Sequence, residues 1–241
     1  MIHSFRVEPA FTRRDLLIDY GFRNEAEGNE QEIEVELEWA LTRRLGIILE
    51  VPYVSLDPDD AGKADGFGNF AISPRVLLAE YERFLLAFGL EIESPTGSRS
   101  SGIAENEVAL APSLSAWADL GGWWAANAQS GVEYTCESDQ SELFVRASLI
   151  HTFAPDRASR DSHAEHAHAH GLHPGLFSLV LEIDTTVGLS GDDDGDTEVE
   201  GIIGAYYGFS EKLDLRIAYQ FPFSHSEQLN SGAVAGLIHH F

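Results

Sequence analysis

The chain has 241 residues and a formal net charge of −25, from 40 acidic and 15 basic side chains. That balance excludes nucleic acid and anionic membrane surfaces as natural partners. The lack of eighteen consecutive apolar residues excludes a transmembrane helix, although membrane-crossing strands escape that test. One cysteine, Cys136, leaves no internal disulfide and no cysteine-based metal cluster. Apolar residues make up 44% of the chain, enough to cover one large all-β domain spanning residues 1–241. The opening residues, Met1-Ile2-His3-Ser4-Phe5-Arg6, lack the apolar run of a signal peptide, so an exported protein would start further upstream or be seen here in mature form.

Taken in chain order, the segments alternate apolar and polar side chains with a period of two. The first candidate strand runs from Arg14 to Phe22. The second, Glu32 to Leu41, contains Glu32-Ile33-Glu34-Val35-Glu36-Leu37-Glu38-Trp39, in which every even position is a carboxylate and every odd position is apolar. Side chains alternate faces along a strand, so one face is acidic and the other hydrocarbon; a helix would scatter them around its circumference. The third strand is Leu45 to Tyr53, followed by a Gly- and Asp-rich loop. Phe70–Ala79 and Phe84–Ser94 form a hairpin that puts Leu86, Phe88, Leu90 and Ile92 on one face and Ala87, Gly89, Glu91 and Glu93 on the other. Glu107–Ala118 and Trp123–Tyr134 form the next, and Ser141–Phe153, Leu176–Gly188, Glu198–Phe209, Leu213–Phe223 and Ser231–Phe241 complete about twelve strands of roughly ten residues, the length a tilted membrane strand needs.

Connection lengths alternate as well. Short turns fall at 42–44, 81–83, 119–122 and 210–212, and longer polar loops at 23–31, 55–68, 95–104, 135–140, 190–197 and 224–230. Short turns at one end and long loops at the other are the pattern of an outer-membrane barrel, with both termini on the periplasmic side. Aromatic residues near the strand ends (Trp39, Tyr53, Trp117, Trp123, Trp124, Tyr134, Phe153, Tyr207, Phe221, Phe223 and Phe241) suit interfacial girdles. One connection, 154–175, is long where a short turn belongs.

Several stretches together carry a resemblance. Leu41-Thr42-Arg43-Arg44-Leu45 joins strands and leads to Leu49-Glu50-Val51-Pro52-Tyr53. Asp65-Gly66-Phe67-Gly68-Asn69, Leu90-Glu91-Ile92-Glu93-Ser94-Pro95-Thr96-Gly97, Ala111-Pro112-Ser113-Leu114 and Asp119-Leu120-Gly121 follow in order. Over about residues 5–241 the chain resembles the outer-membrane family described as "putative MetA-pathway of phenol degradation", whose members are often called transporters. The resemblance implies a barrel in the bacterial outer membrane that passes small hydrophobic or aromatic compounds, and it brings no catalytic residues.

In an alternating barrel the polar face lines the interior. That face would carry Glu34, Glu36, Glu38, Glu50, Glu91, Glu93, Glu133, Glu182, Asp184, Glu200 and Asp214, with Arg75, Arg146 and Arg216 as partners. Carboxylates at this density need pairing, protonation or screening. Two interiors satisfy them: a hydrated lumen that attracts cations, or one closed by arginine–carboxylate networks without flux. His163, His166, His168, His170 and His173 make the connection at 154–175 a candidate Zn, Cu or Ni ligand set by composition; no other cofactor is called for. Asp192-Asp193-Asp194-Gly195-Asp196 lacks the rest of a Ca-binding loop. No nucleophile elbow, metalloprotease helix or phosphate loop is present, so an enzyme is not expected. The expectation is therefore a single all-β, antiparallel transmembrane barrel of about twelve strands. It would sit in outer-membrane lipid and pass a small solute or cation; the alternative is a non-transporting β-barrel that binds a ligand or serves a structural role.

Overall fold

A computed structural model describes residues 4–10, 13–59, 62–98, 103–104, 106–153, 174–191, 194–224 and 229–241. Among these residues all regular structure is β. The strands are β1 (Arg14–Glu25), β2 (Gly28–Ala40), β3 (Leu45–Pro58), β4 (Ala64–Phe67), β5 (Phe70–Tyr81), β6 (Phe84–Ser94), β7 (Ala109–Gly121), β8 (Trp124–Thr135), β9 (Gln140–Phe153), β10 (Phe177–Ser190), β11 (Thr197–Ser210), β12 (Leu213–Pro222) and β13 (Leu229–His240). Every pairing is antiparallel, each barrel strand pairs with the next, and β13 returns to β1 from Asp15↔His240 to Glu25↔Leu229. The sheet thus closes into a ring of twelve strands. Closure leaves no free edge, so every strand finds both of its hydrogen-bonding neighbours. β4 lies outside the ring and pairs only with the far end of β3, at Tyr53↔Phe67 through Leu56↔Ala64.

The acidic and apolar faces separate across the sheet as period-two alternation requires. Ile33, Val35, Leu114, Val145, Leu181, Ile183, Ile203, Ile217 and Leu237 project outward and are exposed. Such a continuous band of exposed hydrocarbon around a closed sheet is the surface of a barrel made for lipid. Rings of aromatic side chains flank it. Trp39 meets Phe241 and Phe153 meets Phe177 at the end with the short turns, and Phe221 meets Phe223 at the end with the loops. Trp117 departs from the girdle expectation. It shares the inward parity of Ser113 and Ser115, and its indole Nε1 is buried without a partner.

The strands run longer than their hydropathy indicates. The stretch 23–31, read as a loop, is mostly sheet: β1 continues to Glu25 and β2 starts at Gly28, leaving Ala26-Glu27 as the turn. Gly28 closes it at φ 149°, where a Cβ would collide with the backbone of Asp57 and Pro58. Likewise β3 extends to Pro58 and β4 pairs with it inside the stretch 55–68. Polar residues disguise the extensions of β1 and β2, because that part of the sheet stands beyond the hydrocarbon layer and needs no apolar face; in β3 Val54 and Leu56 fall on the face opposite to Val51 and Tyr53, which breaks the alternation. The His-rich stretch, with His163, His166, His168, His170 and His173, lies outside the described residues, as do Asp192 and Asp193.

Candidate functional site

The interior is occupied. Ser4–Ala10 enter the barrel from the turn end and lie against the inner wall as a strap. Phe5, Arg6 and Val7 point three consecutive backbone N–H groups at the Glu182 carboxylate, at 3.0, 2.7 and 2.9 Å. Converging amides of this kind form a ready anion seat, here filled by a wall carboxylate. The Arg6 guanidinium reaches Asp184 at 2.9 Å and Glu200 at 2.8 Å. Burial opposes its charge, but Glu200 and Asp184 outweigh that effect and hold its pKa above the ordinary arginine value.

The rest of the strap is held just as closely. Arg75 pairs with Glu8 and donates to the Pro9 carbonyl at 2.8 Å. Arg216 pairs with Asp19 (2.7 Å from Nε), and donates to the Ser4 carbonyl and the Tyr206 hydroxyl, both at 3.3 Å. Arg146 donates to Asp184 and to the Arg6 carbonyl. Asn127 donates to the Ser4 hydroxyl at 2.9 Å, and Gln129 accepts from the Glu8 amide at 3.0 Å. The Phe5 ring packs on Tyr206 with centroids 5.3 Å apart and lies beneath the Arg216 guanidinium. Gly204 makes that seat: a Cβ there would overlap the Phe5 ring.

Below the strap apolar side chains fill the centre of the barrel. Leu17, Ile150, Leu176, Val180, Tyr206 and Ile238 form one buried cluster, with Phe5 packed against it. The turn-end half of the interior is thus filled by hydrocarbon, by the strap and by a few buried charged side chains. At the same end His240 sits between Asp15 (2.8 Å, Nδ1) and Asp214 (3.1 Å, Nε2), closing the seam between β13 and β1. Glu38, opposite Asp15, is 1% exposed.

The remaining carboxylates border open space. Glu34, Glu36 and Glu50 line a cavity of about 270 Å³ between the strap and the wall of β1–β3, with Glu8, Asp19 and Glu32. Arg6 of the strap, Arg23 of β1, Arg146 of β9 and Arg216 of β12 also border it. Glu36 stands directly opposite Glu50 across β2 and β3. Glu91 and Glu133 line a smaller cavity of about 70 Å³ with Ser73, Arg75 and Arg146. Glu93 accepts a hydrogen bond from Asn69 at 2.8 Å, and Glu133 is exposed at the loop end of β8. Among the described residues no group of three histidine, cysteine or acidic side chains is arranged to hold a metal ion.

Reading the residues in order missed the strap. Its trace was nevertheless present: Leu17, Ile150, Val180, Ile202, Tyr206 and Ile238 occupy inward positions where the alternation calls for polar groups, and such a patch needs an apolar cover. Phe5 is that cover.

A closed twelve-stranded antiparallel barrel with a lipid-type exterior is the architecture of outer-membrane channels and their relatives. The chain belongs to the family described as "Putative MetA-pathway of phenol degradation", whose model matches residues 16–233. The COG4313 outer membrane channel from Pseudomonas putida F1 is similar over all of both chains, with a TM-score of 0.71 at 15% identity. The KdgM porin in complex with disordered oligogalacturonate has a TM-score of 0.59 at 13% identity, over 93% of this chain and 99% of its own. LpxR from Salmonella typhimurium has a TM-score of 0.59 at 9% identity, over 94% and 100%. No curated protein matches the chain.

Proposed function

We propose that the protein is an outer-membrane channel whose acidic, hydrated half conducts small cations around an internal strap. The turn end would face the periplasm and the loop end the exterior. The observation that carries the reading is the unequal pairing of the two walls. The guanidiniums of Arg6, Arg23, Arg75, Arg146 and Arg216 are each engaged by wall or strap oxygens. The cavity bordered by all of these but Arg75 carries six carboxylates against four guanidiniums, with Glu36 facing Glu50. Like charges directly opposite one another in a sheet repel, and a mobile cation in water relieves that repulsion at little desolvation cost.

Resemblance in fold to channels and porins supports passage as the general role, and membership of a family described by phenol degradation supports a small solute. The His-rich stretch extends the reading by composition alone: His163, His166, His168, His170 and His173 would capture Zn, Cu or Ni. Zinc titration of the whole protein, with and without residues 163–173, tests that part; equal binding by both forms removes it. The channel reading is tested by reversal potentials in planar bilayers under a salt gradient. Cation preference is expected, and anion preference or absence of conductance would overturn it.

A further inference from the structure

The strap lies in its recess as a ligand lies in a binding site, and the recess is built by the wall. Three features of β10–β12 make it. Asp184 and Glu200 face each other across the sheet and are 3% and 6% exposed at the side chain, so together they demand a cation. Arg146 and Arg23 each reach one of them at 3.3 Å, and Arg6 alone bridges both. Gly204, with no side chain, opens a slot beside Tyr206 that admits a flat ring, and Phe5 fills it. Glu182 offers a carboxylate to the backbone amides between ring and charge.

We propose that this recess is a binding site for an organic cation carrying a flat apolar group beside its charge, and that Phe5 and Arg6 hold it in that cation's place. The site stands on its own geometry; only the naming of its ligand as a transported solute rests on the channel reading. Charge neutralises the Asp184–Glu200 pair, and the flat group takes the slot against Tyr206. A neutral ring would leave Asp184, Glu200 and Glu182 with only Arg146 and Arg23 as counter-charges, and a bare metal ion would leave the slot empty. Neither meets both halves of the recess.

Displacement of the strap is the test, in the whole chain folded in detergent. Wild type and Phe5→Ala/Arg6→Ala are titrated by calorimetry with N-acetyl-Phe-Arg-amide and with the neutral N-acetyl-Phe-Gln-amide. The double variant should bind the arginine probe about tenfold or more tightly than wild type does, the scale of losing one charge-assisted contact. It should prefer it to the glutamine probe by a similar factor, and Asp184→Asn added to it should abolish that preference. Equal binding of the arginine probe by wild type and variant, or equal binding of both probes, overturns the proposal. Heat-modifiable gel mobility reports folding; should the double variant not fold, Phe5→Ala alone, which empties the slot and leaves every charge in place, takes its place. With that variant the arginine probe should bind more tightly than it does to wild type, and failure of that gain is equally fatal. A variant that conducts cations but ignores both probes sinks this site and spares the channel. One that binds the arginine probe and never conducts does the reverse.

Discussion

Asp184 and Glu200 stand directly opposite one another on β10 and β11, and the guanidinium of Arg6 spans both, at 2.9 and 2.8 Å. A cross-strand pair of buried carboxylates is a fault in a sheet unless a cation is supplied. Here the cation comes from the other end of the chain, so charge balance in the wall and closure of the interior are one arrangement.

Arg6→Ala separates them. Arg146 and Arg23 still flank the two carboxylates at 3.3 Å, so the barrel should fold. The strap loses its strongest anchor, and conductance in planar bilayers should rise above wild type. Stability against urea in lipid vesicles should fall by about 3 kcal/mol, the cost of leaving buried charge under-compensated. Unchanged conductance would mean that the strap does not limit the passage.

A second route to the same end alters no charge. Gly204→Val places branched carbons where the Phe5 ring lies against Tyr206. Overpacking of this kind costs about 1–3 kcal/mol, and the strap is the element most able to yield. Conductance should rise as in Arg6→Ala. Phe5→Ala combined with Gly204→Val should remove the clash and recover the stability that Gly204→Val alone loses.

Much of the barrel was legible in the residues because a two-sided sheet writes its faces into alternate positions. Ile33-Glu34-Val35-Glu36 shows its lipid side and its interior side directly, and the inward parity of Arg75, Arg146, Arg216 and Asp214 follows from the same count. Strand ends were less legible: past Phe22 both faces are polar, and past Tyr53 the apolar residues Val54 and Leu56 change faces, so the pattern breaks while the hydrogen-bonded ladder continues. The strap was not legible. Seven residues without a repeat carry no periodic signal, and their partners, from Arg75 to Arg216, lie 66 to 212 residues away in sequence. Interior wetness was illegible for the same reason, since it depends on what fills the bore.

The ring closes at β1 and β13, where His240 bridges Asp15 and Asp214. All three side chains are at most 5% exposed. His240→Ala would take one partner from each of two buried carboxylates at the seam, Asp15 keeping Arg13 at 3.3 Å, and loss of one member of a buried charged network costs about 3–5 kcal/mol. The urea midpoint should drop accordingly, with refolding yield into vesicles reduced. His240→Gln, which can still donate to one of the two carboxylates, should recover part of the loss. Equal stability of all three proteins would show that the seam is held by its backbone ladder alone.

The outward face offers the most direct test of what surrounds the barrel. Leu181 on β10 and Ile203 on β11 are cross-strand partners, 54% and 47% exposed, in the middle of the hydrocarbon band. If lipid touches them, Leu181→Arg places a charge near the bilayer midplane and should destabilise the folded barrel in vesicles by about 2–4 kcal/mol, while the same change near the rim costs about 1 kcal/mol or less. Phe209→Arg, at the last turn of β11, supplies that comparison. In detergent micelles, which thin and deform around a charge, the difference between the two positions should shrink. A Leu181→Arg barrel as stable in vesicles as wild type would mean that this face meets water or protein and not hydrocarbon.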